Sequence, residues 1–109
     1  LDAGGIEQEY DIYPETILTS VDAKNPWFQA LMKGAKNYQD LEIVTRIFPA
    51  SSDSSYLRNV GIPSYGFSPM PNTPILLHDH NEFLNENVFL RGIEIFCDVI
   101  SEMASVPKI

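Results

Sequence analysis

An α/β fold, with helices packed on a sheet, is the class this sequence predicts, and three observations point to it. Residues 41–48 alternate Leu41, Ile43, Thr45 and Ile47 against Glu42, Val44, Arg46 and Phe48, with the β-branched bias of a strand. Two stretches, from Asn25 and from Asn85, carry apolar residues at the three-and-four spacing of an amphipathic helix. The order of patterns along the chain is strand, helix, strand, short helix, strand, strand, helix, and alternation of this kind builds layers with sites at strand ends. A chain of 109 residues is long enough to bury a core, and no internal repeat or low-complexity tract interrupts it.

The first element is a half-buried strand over residues 6–13, with Ile6, Gln8, Tyr10 and Ile12 on one face, closed by Pro14. Residues 14–24 are a connector. Asn25-Pro26 then starts a helix, because asparagine caps and proline fits the first position without losing a needed hydrogen bond. This helix runs to about Tyr38 with Phe28, Leu31, Met32 and Ala35 inward. Trp27 flanks it as a packing residue rather than a ligand contact, and Gly34 weakens its middle by about 1 kcal/mol relative to alanine.

The strand over residues 41–48 ends at Pro49. Short side chains at residues 50–55 lead to a short helix over Tyr56 to Gly61, capped at its start by Ser52 or Asp53 and stopped by Gly61. Residues 62–67 read as a short strand, and residues 68–74, with three prolines, as a rigid loop into a strand at Ile75-Leu76-Leu77. The last helix runs from near Asn85 to about Ala104. Phe89, Ile93, Phe96, Ile100 and Met103 form its apolar face, with Val88, Ile95 and Val99 widening it toward full burial, and Pro107 ends the ordered part.

Composition excludes several classes of function. With 15 acidic residues against 7 basic ones, the net charge of −8 opposes a nucleic-acid backbone, and no basic stripe with interleaved aromatics is present. No apolar run approaches the roughly 18 residues a membrane helix needs. Cys97 is the only cysteine, so an internal disulfide is impossible; its place in a helical pattern suits a buried thiol in a reducing compartment, and a cytoplasmic location is expected. The opening Leu1-Asp2-Ala3-Gly4-Gly5 lacks both an initiator methionine and a signal pattern and reads as a processed or chosen start.

Chemistry concentrates at residues 74–82, where the apolar run Pro-Ile-Leu-Leu, buried as far as Leu77, precedes His78, Asp79, His80, Asn81 and Glu82. At a strand end His78 and His80 face the same way and can approach one cation, with Asp79 or Glu82 as further ligands or as partners that fix an imidazole tautomer. The donor count falls short of a catalytic zinc, which takes three protein ligands and keeps one position open. The plainer alternative is a solvated turn. A second candidate is the turn at Ser52 and Asp53: it serves as a helix cap, or it aims N–H groups and hydroxyls at an anionic group such as a substrate carboxylate.

Three runs carry a resemblance: Gly66-Phe67-Ser68-Pro69-Met70, then Thr73 to Glu82, then Val88-Phe89-Leu90-Arg91-Gly92. Together with Asn25-Pro26-Trp27 and with Ser52-Asp53 followed by Tyr56, Arg58, Gly61 and Pro63, they resemble the M20 family of zinc-dependent metallopeptidases and amidohydrolases over nearly the whole chain. The resemblance implies the C-terminal part of a mixed-sheet, zinc-peptidase-like catalytic domain over residues 25–109. Residues 1–24 match less distinctly and look like the end of the family's lid and dimerisation domain and its connector.

What the family implies is a two-zinc site hydrolysing aliphatic N-acyl-L-amino acids to a carboxylate and a free amino acid, in a homodimer formed through the lid domain. By position, His78 matches the last metal ligand while His80 matches a non-ligand, which overrides the reading in which both imidazoles bind. The other ligands and the general base belong to an N-terminal segment, so no catalytic residue is expected in this chain, and both Zn2+ ions are shared with that segment. Ser52 and Asp53 match a turn beside the substrate. Arg58 matches a family arginine that meets the substrate carboxylate or ties the short helix to an acidic neighbour. Where the family often has arginine, this chain has Ser55. Asp79 and Glu82 are then the partners behind the ligand. The alternatives are a non-catalytic metal-binding or interaction module, and an M20-like pseudoenzyme subunit.

Overall fold

A computed structural model describes residues 17–48 and 50–108. The strand expected over residues 6–13, its stop at Pro14, the end of the next strand at Pro49 and most of the lid assignment for residues 1–24 lie outside the described residues. Among the described residues three helices form: α1 (Pro26–Lys36), α2 (Ser54–Asn59) and α3 (Glu86–Ala104).

Local chemistry sets their ends. The Asn25 backbone is extended, and its Oδ1 accepts from Trp27 N at 2.9 Å and Phe28 N at 3.2 Å. Asn85 repeats this at α3, accepting from Asn87 N at 2.9 Å and Val88 N at 3.4 Å. Each cap satisfies N–H groups that the first helical turn leaves without partners. Helix α2 begins two residues earlier than expected and closes at Gly61, whose φ of +83° is open to glycine at no steric cost.

Helices α1 and α3 pack on each other and supply the core of Leu31, Ala35, Ile95 and Val99. Their crossing is close because Gly34 has no side chain. A β-carbon there would lie 2.6 Å from Val99 Cα and 2.8 Å from Val99 N. Leu41, Ile43, Tyr65, Phe67 and Met103 pack around this core. Polar contacts support the same crossing: Lys33 Nζ of α1 meets Glu102 of α3 at 2.7 Å, and just past the end of α1 the Tyr38 hydroxyl donates to Asp98 at 2.9 Å. Arg91 pairs with Asp40 and lies over the Tyr38 ring. The Arg91 hydrogen bond lowers the Asp40 carboxyl below its ordinary range; desolvation and then the bond to Asp98 raise the Tyr38 phenol.

The buried side of α3 differs from expectation. Gly92, Ile95 and Val99 face α1 and the loop, whereas Phe89, Ile93, Phe96 and Ile100 are exposed among the described residues, Phe96 still touching Phe67 edge to face. The helix is apolar on two sides, and the described residues cover one. Cys97 is exposed, not buried, because it falls outside the stripe that meets α1.

The segments expected as strands pair with nothing among the described residues, where no strand is assigned. A strand exists as part of a hydrogen-bonded ladder, so a suitable side-chain pattern without a neighbour does not make one. The pattern itself persists: Leu41 and Ile43 are half-buried while Glu42 and Val44 are exposed. Ile47 and Ile75 are more than 70% exposed, so these segments have an apolar face left uncovered.

The loop into the candidate site is anchored at one point. Pro69 is buried, and a β-carbon at Gly92 of α3 would lie 3.3 Å from the Pro69 carbonyl and 3.6 Å from its Cγ. Gly92→Ala therefore pushes the loop by a few tenths of an ångström. The expected cost is about 1 kcal/mol, less than at Gly34, read as a lowered unfolding midpoint of the intact polypeptide.

Candidate functional site

His78 does not sit at a strand end. The Asp79 amide donates to the Leu76 carbonyl at 3.0 Å, and the Glu82 amide to the Asp79 carbonyl at 3.2 Å, so residues 76–82 make two successive turns. His78 is the third residue of the first turn and has φ of +61°, the left-handed conformation that such a position takes when glycine fills it. The burial expected as far as Leu77 is not found: Ile75 and Leu77 are exposed, because nothing among the described residues covers them.

Side-chain contacts gather around His80. Asp79 Oδ1 accepts from the His80 amide at 2.7 Å and lies 2.7 Å from His80 Nδ1, while Asn81 Nδ2 is 3.2 Å from His80 Nε2. Both ring nitrogens of His80 are engaged within its own turn. Asp79 is brought to His80, not to His78, and Glu82 is exposed.

Among the described residues no group of three His, Cys, Asp or Glu side chains gathers to hold a metal ion. A zinc site needs at least three protein donors. The described residues thus do not fit a complete zinc site; His78 can be one donor of a set completed elsewhere.

The Ser52–Asp53 turn is built differently from the caps at Asn25 and Asn85. Asp53 occupies the cap position of α2 with helical φ and ψ of −62° and −15°, and its side chain makes no capping bond. A cap needs an extended backbone for its side chain to reach the second or third amide. The amide of Ser55 instead donates to the Ser52 carbonyl at 3.2 Å and that of Tyr56 to the Asp53 carbonyl at 3.1 Å, so these N–H groups are used inside the turn. Ser55 Oγ also donates to the Ser52 carbonyl, at 3.0 Å. Ser52 and Asp53 are exposed.

Arg58 is half-buried and meets a carbonyl rather than a carboxylate: Nη1 donates to Ser64 O at 3.0 Å, and Nε is buried with no partner among the described residues. An open groove of about 590 Å³ lies on α1, lined by Phe28, Gln29, Met32, Lys33 and Lys36 among others, and carries none of the expected site residues. No local pattern singles out Thr19 or Ser64, which the fold joins across 45 positions by hydrogen bonds of 2.8 and 2.9 Å. A contact of that separation has no local pattern to betray it.

Comparison with known proteins supplies what an incomplete donor set cannot. The model of peptidase family M20/M25/M40 matches residues 7–102, and the chain belongs to that family. Within it the chain is aminoacylase-1-like. It is 50% identical over 93 residues to aminoacylase-1 of Dictyostelium discoideum, covering 85% of this chain and 22% of that protein. It is 48% identical over 97 residues to aminoacylase-1 of Mus musculus, covering 89% and 24%, and 46% identical over 92 residues to that of Homo sapiens, covering 84% and 22%. The chain thus spans under a quarter of the length of these relatives.

Proposed function

We propose that this chain is the C-terminal portion of a zinc-dependent amidohydrolase acting on aliphatic N-acyl-L-amino acids, to which it supplies one metal ligand and part of the substrate pocket. The observation that carries this reading is identity of 46 to 50% to aminoacylase-1 across more than four fifths of the chain. The reading assigns His78 as the ligand, Ser52 and Asp53 to the pocket wall, and the general base and remaining zinc ligands to the N-terminal segment of the same enzyme. It further takes the enzyme as a cytoplasmic homodimer joined through a lid domain that ends near residue 24. No helix among the described residues is long and apolar enough to cross a membrane.

The α/β class belongs to the same proposal. Residues 41–48, 62–67 and 75–77 keep an apolar face without a ladder partner, and strands from the N-terminal segment would complete a mixed sheet on which α1 and α3 pack. The stand-alone metal module receives no support, since no three donors gather among the described residues.

Two measurements test the proposal. Titrating zinc into the isolated chain is expected to show only weak binding, because a single imidazole makes a poor site. Combining the chain with its N-terminal segment and zinc is expected to restore hydrolysis of N-acetyl-L-methionine. A verified, zinc-loaded complex without that activity overturns the proposal, and a tight one-to-one zinc site in the isolated chain turns it toward the module.

A further inference from the structure

Helix α2 is the least packed element of the fold. None of its residues is buried, Tyr56, Leu57 and Val60 are exposed, and it touches neither α1 nor α3. Within the described residues, therefore, hydrophobic burial does not hold it, or the Ser52–Asp53 turn that opens directly into it. A polar knot does. Arg58 Nη1 of α2 donates to the Ser64 carbonyl at 3.0 Å. The same carbonyl accepts from Thr19 Oγ1 at 2.8 Å, and the Ser64 amide donates back to Thr19 Oγ1 at 2.9 Å. Beside it the Tyr65 hydroxyl donates to the Ser20 carbonyl at 2.6 Å.

The Thr19 hydroxyl behaves here as a peptide group does in a ladder, donor and acceptor to one residue at once. It donates once and accepts once, and Thr19, Ser64 and Arg58 are all at least half-buried, so water competes poorly for these bonds. The knot joins three stretches that share no helix packing: the connector before α1, helix α2, and the segment that runs on past Pro69 toward His78. Removing the hydroxyl leaves the Ser64 amide without its partner and takes from the Ser64 carbonyl the donor it shares with Arg58, so that among the described residues Arg58 alone holds that carbonyl.

We propose that Thr19 is a positioning residue for the Ser52–Asp53 turn, acting through Ser64 and Arg58. The proposal rests on the reading of that turn as part of the substrate pocket, but the knot itself is tested without it. The discriminating variants are Thr19→Val, which keeps shape and loses both hydrogen bonds, and Thr19→Ser, which keeps them.

In the intact enzyme, amide hydrogen exchange at Ser64, and at Ser55 and Tyr56 whose N–H groups close the turn, is expected to rise about tenfold in Thr19→Val and to stay near wild type in Thr19→Ser. KM for N-acetyl-L-methionine is expected to rise about tenfold in Thr19→Val, with kcat within about twofold and zinc content unchanged, and to recover in Thr19→Ser. Wild-type exchange at Ser55 and Tyr56 in Thr19→Val overturns the proposal, as does faster exchange there with KM unmoved, or a serine variant that fails to recover. If no protein of the set hydrolyses the substrate, the functional reading fails separately and the exchange at Ser55 and Tyr56 still decides whether Thr19 orders the turn.

Discussion

Gly34→Ala is expected to destabilise the intact polypeptide by about 3 kcal/mol, the upper part of the range for overpacking a close-packed contact. Helix propensity argues for the opposite sign, since alanine is favoured over glycine by about 1 kcal/mol in a helix interior. Geometry decides between them. The added β-carbon would stand 2.6 Å from Val99 Cα and 3.0 Å from the Asp98 carbonyl carbon, and these are backbone atoms of α3 that no side-chain rotation can move. Relief requires α1 and α3 to separate, which opens gaps around Leu31, Ala35 and Ile95 in the only core the described residues share. Denaturant unfolding of the two proteins reads the sign directly: a midpoint raised by alanine means that α1 and α3 do not meet at Gly34.

That residue also shows what the sequence could convey. Read locally, Gly34 is a weak point; its value lies in Val99, 65 positions away, and nothing near it in the chain announces that partner. Helix starts were legible because their chemistry is local: Asn25 and Asn85 each bond amides two and three residues on. Gly61 was legible as a stop for the same reason. The inward face of α3 was not, because the helix is apolar on two sides and periodicity does not say which side finds a neighbour. Patterning at residues 41–48 separates two sets of side chains, of which Leu41 and Ile43 are half-buried, but pairing is a property of two segments and cannot be read from one. At the candidate site, the residue types were visible and their arrangement was not. Placing His78 and His80 on one face assumes a strand, and the turn closed by the Leu76 carbonyl, with His78 at φ of +61°, replaces that backbone. Asp53 looked like a cap by residue type, yet its helical backbone withholds the side chain from that task.

His78→Ala is expected to remove one zinc from the intact enzyme and to lower turnover by more than about 100-fold, since even the partners standing behind a ligand are worth about 10- to 100-fold. His80→Ala is expected to leave zinc content intact, because the His80 ring is already held between Asp79 and Asn81. Equal zinc loss in the two variants would show that the ligand assignment is wrong. Backbone conformation adds a second, independent readout. At φ of +61° a residue with a β-carbon pays roughly 1 kcal/mol that glycine does not, and asparagine tolerates the region better than most. In metal-free protein, His78→Gly should therefore unfold at a higher temperature than His78→Ala, with His78→Asn between them, while all three lose the zinc. Activity and stability then move in opposite directions at one position, as expected where an imidazole is kept for its chemistry in a turn that glycine would fill more easily. Were His78→Gly the least stable of the three, the left-handed turn would not form in solution, and the ring would have to reach a metal from a different backbone.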